Sequence, residues 1–308
     1  MDQNDLKSID ITKDVTLMRL RQALSNPGAE QKGWVIVEGE ADDIAYTQLL
    51  NGSDRMVMKA GYTAKDNSEH GGKKAVQRMV DVALNEHWTT HIIGIIDRDY
   101  MDFEATASGL PPNVYCTDKR DLEMSLWSIE EVRNSLVQHL STSPIQRVRR
   151  LTDAKLDKVL DICRYMGTFH VCNAWHGIHR MYEFKQSHYW VSSNSGHFFL
   201  DDAVWKKNLF DFYCCECSSA PTPVTFTDDM HNAAISHFDL MHRDITEFGR
   251  GHDFLGILSS VMIDTTGYSE NKLTRYMINA CTHEQFSTTH LYAQLRSWQE
   301  EHGIQLVA

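Results

Sequence analysis

The chain has 308 residues, of which 42% are hydrophobic, 10% aromatic and 23% charged. This composition is typical of a globular protein with one large domain or two ordinary ones, and it excludes a disordered chain. The formal net charge of −12 argues against a general polyanion-binding protein, although a local basic patch and metal ions can still allow nucleic acid binding.

The first residues, MDQNDLKSID, are polar and acidic, unlike a secretory signal. No apolar run approaches the roughly 18 residues that a membrane-spanning helix needs. The seven cysteines are irregularly spaced, as is typical of free thiols in a reducing compartment. We therefore expect a cytoplasmic protein that does not enter the membrane.

Predicted elements follow one another in a clear order. An amphipathic helix, VTLMRLRQALSN, ends at Asn26-Pro27-Gly28, and strands and helices alternate from residue 33 onward. The predicted strands are GWVIVEG, RMVMKAG, THIIGIID and NVYCT, and the predicted helices between them are ADDIAYTQLLNG and KKAVQRMVDVALNEHW. After the fourth strand, a further helix is predicted to begin in DLEMSLWSIEEVRNSLVQHL. This alternation predicts a parallel sheet with right-handed crossovers.

Helical patterns dominate after about residue 140, apart from a mixed stretch from HYWVSS to PVTF. The expected fold class is therefore α/β, with a Rossmann-like parallel sheet followed by a mainly helical domain. We predict an N-terminal helical segment over 1–30, an α/β domain over 31–140 and a helical domain over 141–308.

Acidic residues follow two of the predicted strands. Glu38 comes directly after VIV, and Asp97 and Asp99 follow HIIGII. Ligands of parallel sheets bind beyond the carboxyl ends of the strands, so these carboxylates would meet at one edge if both strands share a sheet. Like charges repel unless a cation lies among them, and Mg²⁺ or Mn²⁺ is the natural candidate.

These residues resemble the Toprim domain, the metal-dependent catalytic module of topoisomerases, primases and overcoming-lysogenization-defect nucleases. The matching positions are Glu38, Gly39, Asp97 and Asp99. The segments EGEADD, HGGKKAV, IIDRD, TDKRDLE and GHDFLGIL are similar to the DUF4435 branch of Toprim-like proteins, which includes the nuclease effector of the PARIS anti-phage defence system. The resemblance is specific over residues 33–126 and rests on GRGHDFLGIL beyond them.

The resemblance implies phosphodiester cleavage supported by a divalent metal. Asp97 and Asp99 would hold the metal, and Glu38 would be a further ligand or the general base for the attacking water. Glu123 is the preferred residue to complete the metal shell. A transferase using Asp97-Arg98-Asp99 on a sugar nucleotide, or a non-catalytic scaffold, remains an alternative.

Three further residues are candidates to support the metal ligands or to contact the substrate. Asp42 and Asp121 are candidates to support the ligands, and Asp42 could instead be a charge at a helix start. Lys73 in HGGKKA could contact a substrate phosphate at the start of a helix, although a solvated lysine is the simpler interpretation.

The same resemblance implies a biological role. The substrate would be RNA, with transfer RNA favoured over DNA, and the enzyme would act as the toxic effector of an abortive-infection system. A partner ATPase would restrain it before infection, and a homodimer would be the active form.

Other candidate sites are weaker. Cys172, His176 and His179, and the CCEC stretch, could bind zinc, but buried thiols are favoured because the spacing is unusual. Nucleic acid could be contacted by basic residues or stacking aromatics, although a solvated face and a core role are the ordinary interpretations. These residues are the RVRR run at 147–150, Arg164, Lys206, Lys207, Trp175, Tyr182, Tyr189 and Trp190. Asp253 could cap a helix, and His252 could lie near the active site.

Overall fold

The structure is a computed structural model. It describes residues 15–60, 62–63, 69–70, 72–104, 109–142, 150–178, 183–193, 196–219, 223–262 and 268–308. His179, Tyr182 and residues 147–149 of the RVRR run lie outside the described residues.

The chain divides into two compact units, each built from separate stretches of sequence. The sheet unit comprises the described parts of Met1–Asp97, Gly109–Asp118 and Thr282–Ala308. The helical unit comprises the described parts of Arg98–Ser108 and Lys119–Cys281. This division differs from the predicted boundaries at 31 and 141, because the chain passes between the units four times.

Helices and strands occupy the following ranges. The strands are β1 (Gly33–Val37), β2 (Arg55–Lys59), β3 (Tyr62–Thr63), β4 (Glu69–His70), β5 (Ile92–Ile96), β6 (Val114–Cys116), β7 (Trp190–Ser193) and β8 (Gly196–Phe199). The helices are α1 (Val15–Leu24), α2 (Glu40–Leu49), α3 (Gly72–Asn85), α4 (Leu122–Ser128), α5 (Glu130–Thr142), α6 (Asp153–Trp175), α7 (Asp202–Ser218), α8 (Asp228–His237), α9 (Gly251–Val261), α10 (Glu270–Ala280), α11 (His283–Phe286) and α12 (His290–His302).

A four-stranded parallel sheet forms the centre of the sheet unit. Its strand order is β2-β1-β5-β6, and β1 pairs in parallel with both β2 and β5. The predicted fold class, a Rossmann-like parallel sheet together with a mainly helical region, is confirmed. Because β1 runs on to β2 on one side and β5 lies on the other, the strand order reverses at β1.

Both faces of the two central strands are covered. Every residue of β1 and β5 is buried, which explains why GWVIV and IIGII are continuously apolar rather than alternating. One face packs against the buried sides of α1 and α3 through Trp34, Ile36 and Ile92. At Gly94 on this face, a Cβ atom would lie 2.7 Å from Val76 Cγ1, so glycine lets α3 approach the strand closely.

The C-terminal residues return to the start of the sheet. The backbone N–H of Gly52 donates to the carbonyl of Leu306 at 3.0 Å, and the N–H of Asp54 donates to that of Gln305 at 3.1 Å. A Cβ on Gly33 would lie 2.3 Å from Leu306 Cδ2, so the leucine packs directly over the first strand. Sequence patterns did not predict this contact.

The helical unit has the long helix α6 at its core, in contact with α8 and α9. Thr152 caps α6 by accepting from the N–H of Lys155 at 3.3 Å. Around its buried face lie aromatic rings from several elements, which are Phe169, Tyr213, Phe226 and His231. No described helix is both long and apolar enough to span a membrane.

Two predicted patterns are realised differently. The stretch DLEMSLWSIEEVRNSLVQHL forms two helices, α4 and α5, that are separated at the extended residue Ile129. Much of the stretch expected to be mixed is the 17-residue helix α7, which contains CCEC. Its apolar residues do not follow a clean helical period, so the helix was not visible in the sequence pattern.

Candidate functional site

Glu38 and Asp97 lie at the carboxyl ends of adjacent parallel strands. β1 ends at Val37, which pairs with Ile95 of β5, and Asp97 directly follows that strand. The backbone N–H of Asp97 donates to Glu38 Oε1 at 2.8 Å. The structure therefore brings these two predicted site residues together at one edge of the sheet, where both are half-buried.

This edge is the point at which the strand order reverses. The crossover from β1 leads to β2 on one side, while β5 lies on the other. In open parallel sheets the crevice at such a switch point is where ligands bind. A half-buried carboxylate at the end of β1 thus has the position expected of a functional group.

Helix α3 begins beside the Glu38 carboxylate. Gly72 has a φ of 71°, and a Cβ placed on it would lie 3.4 Å from Glu38 Oε2. The positive end of a helix dipole stabilises a nearby carboxylate. Lys73 is the next residue of this first turn and is half-buried; its contact with a substrate phosphate stays a prediction.

Asp42 holds the turn between β1 and α2. Its Oδ2 accepts from the N–H of Gly39 at 2.9 Å, so the carboxylate closes the start of the helix. Burial raises the pKa of Asp42 despite this hydrogen bond. The contact fits the predicted role of Asp42 at the helix start and ties Asp42 to Gly39, the residue that follows Glu38.

Asp118 is an acid of the sheet unit that sequence reasoning missed. Its two carboxylate oxygens accept from the N–H groups of His290 and Leu291, each at 2.7 Å, at the start of α12. Tyr46 is fully buried, and its pKa is raised well above the ordinary value by burial and then by the charges of Asp42, Asp97 and Asp118. The negative charges of these three carboxylates therefore act on the buried Tyr46 in the interior of the sheet unit.

Asp99 belongs to the helical unit and has an unusual backbone conformation. Its φ is 48°, in the left-handed region that side-chain-bearing residues seldom adopt, and its side chain is exposed. Its N–H donates to the carbonyl of Arg120 at 2.8 Å. The guanidinium of Arg120 donates in return to the carbonyl of Asp99 and to the carboxylate of Asp102.

Asp121 joins two helix starts. One of its oxygens accepts from the N–H of Met124 at 2.8 Å in α4, and the other accepts from the N–H of Gly251 at 2.6 Å in α9. Burial raises its pKa to about 6. Asp121 is thus committed to backbone groups, which suits the supporting role predicted for it.

Glu123, the preferred fourth metal ligand, lies close to α9 and α10. Its Oε1 accepts from the hydroxyl of Thr274 at 3.3 Å. A Cβ placed on Gly251 would lie 2.4 Å from the Cβ of Glu123. Because Asp99 and Glu123 belong to the helical unit while Glu38 and Asp97 belong to the sheet unit, a shared metal ion stays a prediction.

The GRGHDF segment contains two charged residues, His252 and Asp253, whose partners the sequence did not predict. Asp253 does not cap α9; its Oδ2 lies 2.6 Å from His170 Nε2, and both side chains are less than a tenth exposed. Burial opposes the charge of Asp253, but the proximity and hydrogen bond of His170, together with the charges of Arg250 and His252, outweigh it, so its pKa is lowered. Tyr100 stacks on His170 at 5.4 Å between ring centroids. The exposed His252 instead pairs with Glu270 at 2.7 Å.

The weaker nucleic acid candidates have structural contacts. Arg164 donates to the carbonyl oxygens of Leu240 and Arg243, at 3.3 and 2.8 Å. Tyr189 and Trp190 are buried, so they belong to the core rather than to a stacking surface. Lys207 pairs with Asp211 on the exposed side of α7.

Some of the candidate zinc ligands are buried and others are exposed. Cys172 is buried within α6, whereas His176 is exposed just beyond its end. In CCEC, Cys217 is buried and Cys215 is exposed. Within the described ranges, no three or more His, Cys, Asp or Glu side chains form a group that could hold a metal ion.

Glu38 and Asp97 nonetheless fit a divalent cation by the chemistry of their donors. Carboxylate oxygens are hard ligands, and Mg²⁺ is usually held by one or two carboxylates while waters and substrate phosphates complete its shell. A pair of carboxylates at an open strand end therefore suits Mg²⁺ or Mn²⁺.

Comparison with known proteins adds no relative. No protein-family model matches the chain, and no curated protein matches it. The likeness to Toprim-like proteins accordingly stays a resemblance of motif residues.

Proposed function

We propose that this protein is a Toprim-like, magnesium-dependent endonuclease. The observation that carries the proposal is the placement of Glu38 and Asp97 at the carboxyl ends of β1 and β5, joined by the 2.8 Å hydrogen bond from Asp97 N–H. The resemblance of EGEADD and IIDRD to Toprim-like nucleases supports the same chemistry.

In this proposal Asp97 and Asp99 hold the cation, Glu123 completes its shell, and Glu38 is a ligand or the base that accepts a proton from the attacking water. When bound, Mg²⁺ or Mn²⁺ would stabilise charge on the phosphoryl oxygens and favour the hydroxide form of water. The hydrogen bond from Asp97 N–H orients the Glu38 carboxylate before substrate arrives.

We further propose that the substrate is RNA, with transfer RNA first and DNA next. The protein would act in the cytoplasm as the effector of anti-phage abortive infection, dimeric when active and restrained by a partner ATPase. This part rests on the resemblance to the DUF4435 branch.

The test compares wild type with Glu38→Gln on labelled transfer RNA and on DNA, with Mg²⁺ or Mn²⁺. Glutamine keeps an oxygen that can accept from Asp97 N–H but removes the charge. We expect cleavage by wild type to require the metal and to fall at least about 100-fold in Glu38→Gln, because losing a ligand should cost no less than losing a supporting residue.

Glu40→Gln is the matched control, because it makes the same change at an exposed residue two positions away. It should retain wild-type cleavage. Metal-independent cleavage, or equal activity of all three proteins, would overturn the proposal. Turnover of a nucleotide sugar in place of nucleic acid would favour the transferase.

A further inference from the structure

The turn that carries Asp99 is held in a conformation that its own sequence does not favour. Aspartate adopts positive φ more readily than most residues, but a single aspartate at 48° still needs support from its surroundings. The support comes from a residue 21 positions later, Arg120, in the TDKRDLE segment.

Arg120 makes three polar contacts with the turn. Its backbone carbonyl accepts from Asp99 N–H at 2.8 Å, while its guanidinium donates to the Asp99 carbonyl and to the Asp102 carboxylate. Both backbone polar groups of Asp99 are therefore engaged by one residue. Asp99 itself is exposed.

Arg120 is itself fixed in place. It is only 3% exposed, and its guanidinium carbon lies 5.6 Å from the ring centroid of Tyr100 and 5.1 Å from that of Phe103. A planar guanidinium can stack on rings while its rigid fork of N–H groups donates in two fixed directions, whereas an ammonium has no planar face to stack. Asp121, the next residue, is anchored to the starts of α4 and α9.

We infer that Arg120 is a positioning residue that fixes the left-handed backbone of Asp99 and so presents its carboxylate to the divalent cation. This inference rests on the proposed function, in which Asp99 is a metal ligand. It predicts that the turn is ordered before the metal binds, so that affinity depends on Arg120 although Arg120 does not contact the metal.

Hydrogen–deuterium exchange on the metal-free wild type tests the ordered turn directly. We expect the peptide containing Asp99 to be protected without metal and to change little when Mn²⁺ is added. Rapid exchange that slows only with Mn²⁺ would show that the metal orders the turn, and would overturn the inference.

The second test measures Mn²⁺ affinity by titration calorimetry in wild type, Arg120→Lys and Asp102→Asn. Lysine keeps the positive charge but loses the forked geometry. We expect Arg120→Lys to weaken Mn²⁺ binding by about 10-fold. Asp102→Asn removes the ion pair but keeps the Arg120 contacts with the Asp99 backbone, so it should bind Mn²⁺ as wild type does.

An Asp99→Asn background separates positioning from general stability. Asparagine tolerates positive φ but lacks the charge, so Arg120→Lys should cause no further loss of Mn²⁺ affinity in this background. An equal loss in both backgrounds, or none in either, would contradict the inference. Failure of wild type to bind Mn²⁺ would instead count against the proposed function.

Discussion

At the scale of single residues, His231 shows how burial favours the neutral form of a side chain. Its ring stacks on Phe169 with 4.5 Å between centroids, and its Nε2 lies 2.6 Å from the hydroxyl of Thr168. That hydroxyl donates to the carbonyl of Tyr165, so the neutral His231 donates from Nε2. Burial lowers the pKa of His231 from 6.5 to about 4.

This residue should make stability depend on pH. Between about pH 6.5 and 4 the unfolded chain protonates His231 while the folded protein does not, so stability is full above pH 6.5 and falls as the pH drops toward 4. The expected loss is up to about 3 kcal/mol. Urea denaturation of wild type and His231→Gln across this range measures it.

The variant should lose less stability than wild type over this interval, because glutamine does not titrate. Parallel curves for wild type and His231→Gln would show that the histidine can be protonated within the fold.

At the scale of elements, the packing of α3 on β5 depends on a glycine, Gly94, at the contact. Gly94 lies in the middle of a strand, where glycine is ordinarily unfavourable. A Cβ there would lie 2.7 Å from Val76 Cγ1 and 3.2 Å from Val80 Cγ2. Helix α3 therefore approaches this strand more closely than an alanine would permit.

Gly94→Ala should destabilise the protein by about 1–3 kcal/mol through overpacking. Adding Val76→Ala should recover part of this loss, because it removes the methyl group that clashes. A double-mutant cycle from urea unfolding measures the coupling. Gly109→Ala is the control, because a Cβ at Gly109 meets no atom within 4 Å, and it should be nearly neutral.

At the scale of the whole molecule, the last residues of the sheet unit contact the segment between α2 and β2. Gln305 and Leu306 pair with the backbone near Gly52 and Asp54, about 250 residues earlier in the chain. Leu306 is fully buried over Gly33. The sheet unit thus needs the last residues of the chain to complete its core.

Leu306→Ala should lower the free energy of unfolding by about 2–5 kcal/mol, the usual cost of a cavity at a buried leucine. Gln305→Ala, which changes the exposed neighbour that accepts from Ser53, should change it by less than about 0.5 kcal/mol. Chemical denaturation compares the two variants. A small effect of Leu306→Ala would show that the C-terminal segment is dispensable to the core.

The sequence by itself determined the local features of the fold. Continuous apolar runs predicted β1 and β5, and the alternation with helices predicted a parallel sheet. The positions of Glu38 and Asp97 directly after those strands followed from the same runs. These signals are readable because they arise from neighbouring residues along the chain.

Only the tertiary structure decided which distant residues meet. The strand order, with its reversal at β1, is one such feature. Three others are contacts between residues 21 to 273 positions apart: Arg120 with Asp99, His170 with Asp253, and Leu306 with Gly33. Periodicity reports which face of an element is apolar, but it does not report what covers that face. Such contacts depend on three-dimensional packing, so they became visible only in the folded chain.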